Sequence, residues 1–239
     1  ASVNVTAATI AINGGAVTTT GAGTGSQTYS GNITLGSAST VLNMRDTATA
    51  FTLASNKSIT NASGVDASLT IKTTANILLD SGSNISSVGS GKKLNTVLWS
   101  DSDANGGAIT LTSSTITTNG GHLWIGGGSG STTWNGLTVG DGSAVNPSAA
   151  GNGITLTSST VSSGIGSIYM NGKGANSTTL HSDGIDINSN TTSIQSTTGS
   201  ITLIGTGGTN TGSNSNNDGI RVSGSIQSTT GAISLTGYG

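Results

Sequence analysis

Three of the chain's nine carboxylates fall in two similar segments: Asp183 and Asp186 in one, Asp218 in the other with Arg221 close behind. Carboxylates grouped beside an arginine are what acid–base cleavage of a polysaccharide would need. Asp183 and Asp218 both stand in Asp-Gly-Ile, and Asp-Gly is the dipeptide of a tight corner. The expected role is therefore the turn, with Arg221 pairing locally. A second acidic stretch, DSDANGG at 101–107, starts like a calcium loop, with Asp101 and Asp103 as its candidate ligands. The twelfth position is Thr112 where the bidentate Glu belongs, so a solvated Asp/Gly turn is expected. His122 and His181 are isolated and read as surface polar residues. No cysteine is present, which removes disulfides, thiolate metal sites and a cysteine nucleophile. The acids are all Asp, with no Glu, and are spread along 239 residues. No enzyme, cofactor or bound metal is expected.

The aromatic residues are more suggestive. Trp124 lies between apolar Leu123 and Ile125, and Tyr169 between Ile168 and Met170 one repeat later. In strands, neighbours point to opposite faces, so both rings should point outward and meet if the two segments stack. Outward rings can stack on sugars. Trp124, Tyr169 and Trp134 are thus the candidate glycan or partner contacts. The alternative is that the excursion at 126–153 folds back over Trp124 through Trp134. Trp99, alternating with Val97, reads as core. Ice binding would need an unbroken outward threonine lattice, but the position shared by Thr110 and Thr155 passes to Asp186 and Arg221 in later repeats.

A spacing rule positions these residues. An apolar pair at i and i+2 is followed a few positions on by a lone apolar residue, then by another pair seven residues beyond it. The copies are Ile109/Leu111, Ile116, Leu123/Ile125; Ile154/Leu156, Val161, Ile168/Met170; Ile185/Ile187, Ile194, Ile201/Leu203; and Ile220/Val222, Ile226, Ile233/Leu235. ITLTSST at 109–115 recurs at 154–160, and SIQSTTG at 193–199 recurs at 225–231. Self-similarity at such periods marks a solenoid. Three short stretches at period 2 per copy make one turn of a three-sided parallel β-helix, buried by stacking the next turn ~4.8 Å away. Residues 1–106 carry a less regular version, with candidate pairs including Val3/Val5, Ile33/Leu35, Leu69/Ile71 and Val97/Trp99; residues 107–239 are regular. The expectation is one all-β domain over 1–239 of roughly eight to ten turns, about 40–50 Å long. The excursions at 126–153, 171–184 and 204–219 all follow a third strand, so they should leave one edge of the rod. The seven-residue step should hold the second-to-third join constant and confine length variation to the other joins.

Composition agrees with this reading. Only 7% of residues are charged, Gly numbers 39 and the net charge is −2. Helix formers are scarce, and the recurrence of Ile, Val and Thr in register sets the chain apart from disordered sequences of high charge. The slightly acidic balance, without a basic cluster, argues against a nucleic-acid partner. No apolar run approaches the ~20 residues of a membrane-spanning helix. The first residues lack a basic and apolar leader, so any signal peptide is expected to be gone already.

Several stretches resemble the repeat region of filamentous-haemagglutinin-like bacterial exoproteins: QTYSGNITLGSASTVLN at 27–43, VLWSDSDANGGAITL at 97–111, and the GxIxLxG strand endings of the later turns. The resemblance covers most of residues 27–239. It implies a right-handed parallel β-helix, exported through a dedicated outer-membrane partner and displayed on the bacterial surface or shed as an adhesin. The Asn-Pro-Asn-Gly block of that family's secretion domain has no counterpart, since Asn146-Pro147 is followed by Ser148; the chain would be shaft and not export module. Its last segment, Ile233–Gly239, lacks a polar cap, as in a truncated or end-stacking solenoid. The expected function is a rigid extracellular shaft displaying loops to surface glycans or proteins of host or neighbouring cells. The alternatives are a filament subunit that stacks end to end on its own copies and a polysaccharide-active β-helix enzyme.

Overall fold

The computed structural model describes residues 1–62, 64–89, 91–148, 151–176, 182–209 and 217–239. Among them there are strands and no helix, and the strands form three parallel sheets. The first sheet contains Val3–Val5, Gln27–Tyr29, Phe51–Leu53, Ile77–Leu79, Ile109–Thr112, Ile154–Thr157, Ile185–Asn188 and Ile220–Val222. The second contains Thr9–Ile12, Asn32–Leu35, Ser58–Asn61, Asn84–Ser86, Thr115–Thr117, Thr160–Ser162, Ser193–Ser196 and Ser225–Ser228. The third contains Ala16–Thr19, Ser39–Met44, Ala67–Thr73, Leu94–Trp99, Leu123–Trp134, Ile168–Lys173, Ile201–Thr206 and Ile233–Tyr238. Each sheet takes one strand from each of eight turns, in chain order. The chain is a three-sided parallel β-helix.

Register follows the apolar pattern, because a one-residue slip would turn every core side chain to solvent. In the second sheet Ile33, Ile59, Ile85, Ile116, Val161, Ile194 and Ile226 form one inward column. In the first sheet Ile77, Ile109, Ile154, Ile185 and Ile220 stack likewise. Thr110, Thr155, Asp186 and Arg221 occupy one outward column. Near the start the interior takes a polar insert. Gln27 and Tyr29 are buried, and the Tyr29 hydroxyl donates to Gln27 Oε1 at 2.9 Å. Gln27 Nε2 donates to Val17 O at 3.1 Å, and the Tyr29 ring packs 5.8 Å from Phe51. Burial pushes the Tyr29 hydroxyl up to about 12.

The seven-residue step has a structural cause at the second corner. Two residues after the lone apolar position stands a hydroxyl: Thr118, Ser163, Ser196 or Ser228. The first three are buried and donate to the carbonyls of Gly121, Gly166 and Gly199, three residues on. A buried polar side chain thus satisfies the backbone of its own turn. The expectation that this join never varies is corrected for three turns. In the first, Val17, aligned through Leu42, Ile71 and Leu98 with Ile125, follows Ile10 by seven residues where Ile125 follows Ile116 by nine. In two others the join is longer. From Ile59 to Leu69 it spans ten residues, and from Ile85 to Thr96 eleven, between positions aligned on those of Ile116 and Leu123. There the second position after the lone residue is Asn61 or Ser87. The longer Asn61 side chain serves a wider loop, donating to Val65 O at 2.6 Å and accepting from the Val88 N–H at 2.8 Å. Ser87 Oγ donates to Lys92 O at 2.7 Å.

Candidate functional site

The edge between the third and first sheets carries the long connections, and its largest described feature is a hairpin. The strand Leu123–Trp134 begins inside the third sheet and then peels away, pairing antiparallel with Leu137–Gly142. Asn135 and Gly136, with φ of 46° and 77°, make its two-residue turn. An Asn-Gly loop with both φ positive is the turn whose twist suits a hairpin. That dipeptide is the sequence signal for this element, which the apolar spacing does not report.

The hairpin covers a second apolar cluster on the outer face of the third sheet. Val97, Trp124 and Tyr169 are register partners in one outward column. Trp124 and Tyr169 stack with centroids 6.2 Å apart and planes 5° from parallel. Val97, Trp99, Trp124 and Val139 form the cluster, with Trp134, Leu137 and Tyr169 against it. Trp124 points outward as the alternation requires, but only 2% of it is exposed. Of the two arrangements open from the sequence, an exposed Trp124–Tyr169 pair and an excursion folded over Trp124, the second is found: the hairpin lies over Trp124. Trp134 and Tyr169 remain half-buried, their centroids 5.9 Å apart.

Trp99 is also corrected. It is buried, but outside the rod's core, because Leu94, Thr96 and Leu98 face inward and Val97 and Trp99 face the hairpin. Its indole N–H donates to Gly128 O at 2.7 Å, pinning the base of the hairpin. Lys72 Nζ lies 3.6 Å from its ring centroid. Burial, then the nearby Arg45 charge, lowers the Lys72 pKa.

His122 stands at the hairpin's flank. Its Nδ1 accepts the Ser167 N–H at 3.1 Å, so that nitrogen is unprotonated, and its ring meets Trp134 edge-on at 5.7 Å. Burial and the Lys93 charge lower its pKa. It is a wedge between one turn and the hairpin, not the free surface residue expected. His181 lies outside the described residues.

The acidic residues are drawn into corners. Asp101 is buried with φ of 51°, and its Oδ1 accepts the Gly106 N–H at 2.6 Å. Asp103 caps Asn105 N–H at 3.2 Å. Asp101 thus holds its loop closed from within, where a solvated turn was expected. Among the described residues no three His, Cys, Asp or Glu side chains group to hold a metal. Asp183 Oδ1 accepts the Asp218 N–H at 2.9 Å, and Asn152 Oδ1 accepts the Asp183 N–H at 2.8 Å, a ladder along the edge. Asp186 lies beside Arg221, its register partner, with Oδ2 4.0 Å from Nη1 and 3.2 Å from Asn152 Nδ2. Burial raises the Asp186 pKa against the pull of Arg221.

Burial, aided by the Asp103 charge, pushes the Asp101 carboxyl up to about 6, against the Gly106 hydrogen bond. The unfolded carboxyl titrates near ~3.9. The folded chain therefore keeps a proton that the unfolded chain has released between those values, and stability falls as pH rises through that window. Asp101→Asn keeps the acceptor and suits the left-handed φ. It should flatten this dependence and raise stability at pH 7 by about 1–2 kcal/mol, read by chemical denaturation at pH 4 and pH 7. Equal wild-type stability at both pH values would count against the buried carboxyl.

No protein-family model, curated protein or solved structure matches the chain.

Proposed function

We propose that the chain is an extracellular structural and adhesive β-helix, a shaft segment of a bacterial surface or secreted exoprotein. In this reading the rod supplies rigidity, and the edge between third and first sheets supplies contact with glycans or proteins of host or neighbouring cells. One observation carries it: eight turns stacked in register hold a continuous apolar core, while the large hairpin and the other long connections gather at a single edge. A rod whose longest connections share one edge presents loops at fixed spacing and needs no moving part. The stretches resembling filamentous-haemagglutinin-like repeats support the extracellular setting and export through an outer-membrane partner.

The test is attachment. Beads coated with the folded chain should adhere to cultured cells or extracellular matrix, and a chain with 127–142 replaced by a short Gly-Ser link should adhere several-fold less. Equal adhesion by both chains, or release of reducing sugar from polysaccharide by the wild type, would overturn the reading.

A further inference from the structure

Between the hairpin and the third sheet lies a cavity of about 170 Å³, whose lining includes Trp124, Trp134 and Tyr169 together with Thr132, Asp141 and Asn171. We infer that it is a binding subsite for one uncharged sugar ring of a saccharide. The inference takes the displayed edge proposed above as its setting and names the partner's chemistry.

Size, polarity and charge each narrow the occupant. An enclosed cavity of ~150 Å³ accepts benzene, so a half-open one of about 170 Å³ seats on the order of one six-membered ring. Its lining is aromatic in part and hydrogen-bonding in part. An aliphatic ligand would use the aromatic part of that lining and none of its hydroxyl, carboxylate and amide groups. A nucleotide or an acidic sugar would place negative charge beside Asp141, with no Lys or Arg in the lining to offset it. A neutral pyranose meets all three demands, because it offers C–H groups on its faces and hydroxyls around its rim.

The polar groups are also set in place beforehand. Asp141 Oδ1 accepts the Gly130 N–H at 3.0 Å, which orients the carboxylate in the lining. Ser143 Oγ donates to Asn171 Oδ1 at 2.8 Å, which settles the direction of the amide, and that amide also engages the Tyr169 hydroxyl. His122 packs against the Trp134 ring at the hairpin's flank. Groups held in their binding geometry before the ligand arrives lose little freedom on binding.

The experiment titrates the whole chain with methyl glycosides of glucose, galactose, mannose and N-acetylglucosamine, following tryptophan fluorescence, with glucuronic and sialic acids as the charged arm. At least one neutral glycoside should give a saturable change in the millimolar range. Asp141→Asn, which keeps an oxygen for Gly130, should weaken it roughly tenfold without shifting thermal unfolding. Trp134→Ala should weaken it likewise and serves if the first variant misfolds. Absence of saturation with every neutral glycoside, tighter binding of the acidic sugars, or binding untouched by both substitutions would overturn the subsite. Adhesion that persists without any sugar binding would sink this inference and leave the shaft reading intact.

Discussion

Gly199→Ala should destabilise the C-terminal turns by about 3–5 kcal/mol, among the largest effects of any single methyl group added to this chain. A Cβ at Gly199 would lie 1.8 Å from the Gly166 carbonyl oxygen and 2.3 Å from its carbon. Its φ lies outside the left-handed region, so the requirement is for space and not for conformation. The turn below occupies the place a side chain would take. Gly121, Gly166 and Gly231 stand at the same corner, each with backbone within 2.5 Å of the added carbon. Because each turn contacts only its neighbours, the loss should reach the turns on either side before the rest of the rod. Hydrogen exchange should therefore rise first around Ser196–Leu203, and urea unfolding should shift to a lower midpoint. Gly14→Ala, where nothing lies within 4 Å of the added carbon, is the control and should stay within about 0.5 kcal/mol of wild type. Equal effects at the two positions would refute a packed corner.

The same corner shows how the fold could be read from sequence alone. Ile116, Val161, Ile194 and Ile226 are visible as a repeat because inward residues of a stacked turn must be apolar and must alternate. The hydroxyl two positions on and the glycine three beyond it are visible too, but only as composition. Ser, Thr and Gly are common throughout this chain, and nothing local says that one hydroxyl is buried and bonded while the next faces water. Asn61 illustrates the limit. It replaces the corner hydroxyl where the loop is longer, and a polar residue in a polar segment carries no mark of its burial.

Trp99 shows a different limit. Alternation reports which residues share a face, not which of two faces is the core. Along Leu94–Trp99 both faces are covered, one by the rod and one by the hairpin, so Leu94/Leu98 and Val97/Trp99 compete as inward sets. Thr96, inward and fully buried, interrupts the correct set, and its hydroxyl turns back onto Leu94 O at 3.3 Å. The candidate site was legible as residues but not as an arrangement. Trp124, Trp134 and Tyr169 were all identifiable, yet whether the rings were open or covered depended on a hairpin that only Asn135-Gly136 announced.

That hairpin gives the second large effect. Trp124→Ala should release the hairpin while leaving the rod folded, at a cost of about 3–5 kcal/mol to the hairpin's docking. The indole is the centre of the outer cluster, stacked on Tyr169 and grouped with Trp99 and Val139. The rod's own core is a separate cluster, without Trp124 or any residue of the hairpin strand Leu137–Gly142. Loss of the indole leaves a cavity that neither the strand Ile168–Lys173 nor the hairpin can close, since both are held by backbone ladders. The β-sheet circular dichroism should persist, while limited proteolysis should cut between 127 and 142, where the wild type resists. Tyr169→Phe keeps the ring and should leave the hairpin docked. Proteolysis unchanged by Trp124→Ala would mean that the Trp99 N–H bond to Gly128 and the pairing at Ala144–Val145 hold the hairpin without the cluster. Cleavage confined to the hairpin would make it a separately stable unit laid on a finished rod, free to vary without disturbing the turns beneath.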